Sequence, residues 1–139
     1  MDQSIIFFFA AIIIVGALIM AAMCINKKGT KHLDVERYRA KCLTIEHQLK
    51  LDEPASYHLA VLNADKLVDQ ALRDLGIKGK TMGERMKNSV TLFSDRNGIW
   101  TAHKLRNQIA HESDVNVMYD EAKHALANFR QALKDLGAI

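Results

Sequence analysis

Breaks and cross-links are scarce in this chain: its 139 residues include one proline, Pro54, seven glycines and two cysteines. Few residues interrupt a helix, and Ala, Leu, Lys, Glu and Gln are abundant. Such side chains lose little rotamer freedom on entering a helix, so the composition predicts an all-α protein. There is no paired-cysteine spacing for zinc, no Gly-rich phosphate loop, no internal repeat and no low-complexity tract. With 49% hydrophobic residues the chain can still form one core of ordinary size.

Charge is missing from one segment altogether. Residues 5–25, IIFFFAAIIIVGALIMAAMCI, hold no Asp, Glu, Lys or Arg. At a helical rise of about 1.5 Å per residue they match a hydrocarbon core of roughly 30 Å, which predicts a transmembrane helix. A cleaved signal peptide fits less well, because MDQS has no Lys or Arg and no small-x-small cleavage site follows. Met23 before Cys24 also breaks a lipobox pattern. Ala17 and Ala21 share the small-x-x-x-small spacing that allows membrane helices to approach closely.

Basic charge is concentrated just after this span. Residues 27–41 hold six Lys or Arg against two acids, whereas residues 42–139 hold thirteen of each. The positive-inside tendency then puts residues 1–4 outside the cell membrane and everything from about residue 26 in the cytoplasm. Residues 26–32 read as a basic juxtamembrane linker, broken near Gly29 and Thr30 and attractive to anionic lipid. Residues 33–137 read as a cytosolic helical domain. Cys24 falls in the bilayer and Cys42 in a reducing compartment, so no disulfide is expected.

Apolar periodicity divides that domain. Val35, Tyr38, Cys42, Ile45 and Leu49 form a narrow stripe over 33–49. Pro54 opens a second helix behind Asp52 and Glu53. Tyr57, Val61, Ala64, Val68, Ala71, Leu72 and Leu75 share its face, and Gly76 closes it. After the turn G-I-K-G-K, where Lys78 and Lys80 can simply be solvated, Thr81 and Glu84 have capping-box spacing for a short helix. Met82 and Met86 fit core filling. A further helix starts near 94–98 and ends near 111–116, and the last runs over about 117–136, with Gly137 behind it. Short connections favour antiparallel neighbours, hence an up-and-down four-helix bundle with one extra short helix.

One residue breaks the pattern. On a helical wheel Ile99, Ala102, Leu105, Ile109 and Ala110 form an apolar arc, and Arg106 falls inside it. A guanidinium there must be paired, because uncompensated desolvation costs about several kcal/mol. His103, Asn107 and His111 form a polar stripe alongside. Two readings follow. Arg supplies a fixed cation shaped for phosphate and His a proton-transfer group near neutrality, which suits metal-free RNA cleavage by the 2′-hydroxyl. Alternatively Arg106 pairs with Asp65, at the border of its own helix's arc, and His111 caps the helix C-terminus. Geometry also matters, since Arg106 and His111 on one straight helix diverge by about 140° and lie about 7.5 Å apart along its axis. The helix must end before His111 and redirect it, or a second protomer must complete the site. His103 is expected on a polar face and Trp100 in a packing interface rather than against a base. His32, His47, His58 and His124 have no metal-ligand spacing.

The segment W-T-A-H-K-L-R-N-Q-I-A-H-E resembles the R-x(4 to 6)-H signature of HEPN domains, and ADKLVDQALRDLGIKGKTMGERM is similar to the preceding helix and turn of small bacterial members. The resemblance covers roughly 33–137. It implies a HEPN-like bundle that dimerises and acts without metal or cofactor on RNA, in toxin-antitoxin or antiviral settings, with an antitoxin protein as a partner. It assigns phosphate orientation and transition-state stabilisation to Arg106, support to Asn107 and proton transfer to His111; Asp65 and His103, read from their helix positions and not from the resemblance, are further candidates for supporting residues. Other HEPN domains are non-catalytic interaction or nucleotide-binding modules, and that alternative is retained. A bundle that only reinforces oligomerisation would need no chemistry from the motif.

Overall fold

The structure, a computed structural model, describes residues 2–26 and 32–139. They fall into two compact units, Met1–Lys31 and His32–Ile139. Most of the expected juxtamembrane linker, including the break at Gly29 and Thr30, lies outside the described residues.

The first unit contains helix α1, Gln3–Asn26. Its stretch Gln3–Ala22 is long and apolar enough to cross a membrane, and none of it is buried against protein. Apolar side chains surround the helix on all sides, a composition suited to hydrocarbon rather than to one wet and one dry face.

The second unit is helical throughout, with no strand among the described residues. It comprises α2 (Val35–Gln48), α3 (Pro54–Asp74), α4 (Met82–Asn88), a single 3₁₀ turn at Val90–Leu92, α5 (Arg96–His111) and α6 (Tyr119–Asp135). Helix α3 packs against α2, α4, α5 and α6, and α5 also packs against α6. The core centres on Val61, Val68, Leu72, Met86, Ile99, Phe129 and Leu133, with Tyr38 entering from α2.

Local chemistry sets the helix ends. Asp34 caps α2 by accepting from the Arg37 amide, and Asp95 caps α5 by accepting from the Gly98 amide. Helices α3 and α6 close alike: Gly76 and Gly137 adopt φ of 78° and 69°. Their amides and the next ones return to Arg73 and Leu72, and to Lys134 and Leu133, which satisfies carbonyls that a helix end leaves open. Thr81 accepts from the Glu84 amide, but Glu84 reaches back to the Lys80 amide rather than to that of Thr81. The capping pair is therefore spread over one more residue than the motif predicts.

Helix α2 is tied to α3 by the Tyr38 hydroxyl, which donates to Asp74 at 2.6 Å. Burial first, and then Asp74, hold the Tyr38 phenol above its usual pKa. Burial does the same to the Cys42 thiol, with Glu46 adding to the effect. Helix α5 ends at His111, within the expected 111–116, and Glu112 stands at its C-cap; of the two ways to bring Arg106 and His111 to one phosphate, a helix that stops short of His111 is thereby removed. One expectation needs correction: the apolar arc of α5 is incompletely covered, with Ile99 and Ala102 buried, Leu105 and Ile109 half-buried and Ala110 exposed.

Candidate active site

Helix α3 carries two aspartates, Asp65 and Asp69, one turn apart among its apolar residues, and both are buried. A carboxylate in that position needs a cation or donors to offset its desolvation. Each finds them on a different helix. Asp69 receives Arg85 from α4, with Nε donating to Oδ1 at 2.7 Å, while Arg85 Nη1 donates to the Gly79 carbonyl at 2.5 Å. Arg73, one turn along α3, donates from Nε to Asp69 Oδ2 at 2.9 Å. Gly79 must be glycine, because a Cβ there would lie 2.7 Å from the Arg85 amide nitrogen at a φ of 155°.

Asp65 receives His103 and Arg106 from α5. His103 Nδ1 lies 2.7 Å from Asp65 Oδ1, and Arg106 Nε lies 3.2 Å from Oδ2. The Arg106 contact is an ion pair without a hydrogen bond: its Nε is sealed from solvent and has no acceptor among the described residues. Arg106 Nη1 donates to Asn107 Oδ1 at 2.9 Å, so the guanidinium is held from two sides. Because a carboxylate only accepts, the His103 nitrogen facing Asp65 is an Nδ1–H donor, and Nε2 makes no hydrogen bond among the described residues. His103 is not on a solvated face as expected. It is 8% exposed, enclosed by Asp65 and by Trp100, whose ring meets it edge-on at 6.1 Å.

These groups line one cleft of about 1020 Å³ between α3, α4 and α5, which also takes in Asn107 and His111. Six basic residues, Lys66, Arg73, Lys80, Arg85, Lys87 and Arg106, face three acids, Asp65, Asp69 and Glu84. The buried pairs take up Asp65 and Asp69 together with Arg73, Arg85 and Arg106, which leaves Lys66, Lys80 and Lys87 against Glu84, so the cleft as a whole is cationic and suited to a polyanion. His111, the last residue of α5, is exposed at this cleft. Arg106 and His111 therefore border one space in a single chain, despite their divergence around the helix. Trp100 is half-buried and presents part of its ring to the same space.

The sequence had placed Arg106, Asn107, His111, Asp65 and His103 as candidates, and all five line this cleft. It missed Asp69, Arg85 and Gly83. Asp69 was available in principle, being four residues from Asp65 and so on the same face. Arg85 stands beside the core residue Met86 in a helix too short to show a period. Among the described residues no three His, Cys, Asp or Glu side chains gather in a metal-ligand set. No family model, curated protein or solved structure matches the chain.

Proposed function

We propose that the chain is a membrane-anchored, HEPN-like helical bundle that cleaves RNA without a metal ion. The observation that carries this is the cationic cleft in which Arg106, Asn107 and His111 lie together. A 2′-hydroxyl attacks the adjacent phosphodiester, Arg106 stabilises the charge growing on the phosphoryl oxygens, and His111 moves a proton. Asn107, bonded to Arg106 Nη1, fixes the orientation of the guanidinium. Helix α1 spans the cell membrane with its N-terminus outside, and the basic residues after it rest against anionic lipid. Two copies associate through this anchored domain, and an antitoxin-type protein that fills the cleft would hold the activity in check.

Full-length protein in detergent micelles is expected to cut RNA in the presence of a chelator, leaving 2′,3′-cyclic phosphate ends. Arg106→Ala or His111→Ala should abolish the cut while folding is retained. A second reading, a non-catalytic module that binds a nucleotide phosphate or a partner protein, draws support from the Arg106–Asp65 ion pair, since such pairs also serve structure alone. Absence of cleavage, together with severe destabilisation of both variants, would favour it.

A further inference from the structure

We infer that His103, oriented by Asp65, takes the proton from the attacking hydroxyl, so that one protomer carries a two-histidine acid–base pair around Arg106. This rests on the RNA-cleavage reading and assigns a role within it. His103 and Arg106 are three residues apart on α5, which places them about 60° apart around the helix and about 4.5 Å along it. Both contact Asp65, one on each carboxylate oxygen. Asp65 thus positions a base and a phosphate-binding cation side by side, a relation that Arg106 and His111 do not have.

The free nitrogen of His103 is unoccupied and reachable. Nε2 makes no hydrogen bond among the described residues, yet it is not a sealed atom, since Arg106 Nε alone is both buried and unpartnered there. Nε2 faces Gly83 at the start of α4, where an added Cβ would lie 3.9 Å away, equally distant from Thr81 Oγ1 and Trp100 Cη2. Gly83 lines the cleft, so the space before Nε2 is left clear by the absence of a side chain. A histidine that served packing alone would gain by bonding both nitrogens.

The proton balance is complete. The 2′-hydroxyl gives its proton to His103 Nε2 as the O2′–P bond forms. The P–O5′ bond breaks, and O5′ takes a proton from the His111 imidazolium. The products are a 2′,3′-cyclic phosphate and a 5′-hydroxyl, and exchange with solvent returns the proton from His103 to His111.

The test uses full-length protein in micelles and two substrates: an RNA oligomer, and a ribonucleoside 3′-(4-nitrophenyl phosphate) whose leaving group needs no proton. His111→Ala should slow RNA cleavage by about 100-fold or more while slowing the aryl ester far less. His103→Asn keeps a donor for Asp65 but lacks Nε2, and should slow both substrates by about 100-fold or more. Gly83→Ala leaves His103 and Asp65 intact and favours the helix, so it stays folded even if His103→Asn does not. Its methyl in front of Nε2 should slow both substrates by about tenfold. Wild-type rates on both substrates for folded His103→Asn, or for Gly83→Ala, would overturn the role of His103 and leave the ribonuclease reading standing. Equal slowing of both substrates by His111→Ala would overturn the division of labour. A wild-type chain inert on both would overturn the ribonuclease reading and this assignment with it.

Discussion

Asp65 and Asp69 sit one turn apart on α3, equally hidden, and each draws basic side chains from a neighbouring helix. Around Asp69 the accounting is complete: both oxygens accept, and the spare Arg85 nitrogen binds the Gly79 carbonyl. Asp65 leaves a remainder. Among the described residues one Arg106 nitrogen is buried without an acceptor and the His103 Nε2 has no hydrogen-bond partner, and both side chains border open space. Two ion clusters built from similar parts differ in what they leave unspent. A saturated cluster fixes helices, whereas an unsaturated one retains groups for a ligand.

The largest expected effect is on folding. Asp69→Ala strands a buried Arg85 and should cost about 3–5 kcal/mol. Asp65→Ala should cost clearly less, because the Arg106 side chain, 35% exposed, can turn to water. Urea unfolding followed by Trp100, the only tryptophan, measures both in the full chain. Equal losses would break the contrast. Next comes chemistry: Arg106→Ala should lower RNA cleavage by about 10²–10³-fold, the loss typical of a group that stabilises transition-state charge. Its stability should change by less than about 1 kcal/mol, since the side chain is partly solvated. Arg85→Met should do the reverse, weakening the fold and affecting cleavage only through it.

How far the sequence exposes this contrast depends on what kind of order a residue obeys. Long helices are legible because burial repeats along them: Tyr38, Cys42 and Ile45 on α2, and Phe129 and Leu133 on α6, lie where the period puts them. Gly76 and Gly137 are legible because a left-handed turn favours glycine. Arg106 and Asp65 stand out because each interrupts or borders an apolar arc, and their pairing follows from that conflict. The burial of His103 does not follow. It lies at the edge of the α5 arc, four residues after Ile99, where spacing alone leaves burial open, and it is covered by Asp65 and Trp100 and by the arrival of α4 near Gly83, a tertiary event. Nor does the Arg85–Asp69 pair, which joins residues 16 positions apart across a glycine turn.

Helix α4 serves both clusters, since it delivers Arg85 to Asp69 and sets Gly83 opposite His103. Its cap therefore offers a gentler probe. Thr81→Ala removes the acceptor of the Glu84 amide and should cost about 1 kcal/mol. Hydrogen exchange should show faster opening of α4 with little change in α6, and uniform loosening of the whole unit would mean that the two clusters are not separately held.

Asp135 supplies the smallest effect and a control, a carboxylate held by neutral donors alone. Partial burial raises its pKa, but hydrogen bonds from the Ser94 amide and hydroxyl and from Gln131 outweigh this and leave the group below its ordinary value of 3.8. A depressed carboxylate favours the folded state above that ordinary value, and the advantage disappears as pH falls through the lowered one. Ser94→Ala, which keeps the amide bond and loses the hydroxyl, should cost about 0.5 kcal/mol at neutral pH. Urea titrations of wild type and variant should run parallel from about pH 5 to 7 and converge below 3.8. A gap that widened on acidification would show that Asp135 gains its partners in the protonated form, and would remove it as the neutral standard for Asp65 and Asp69.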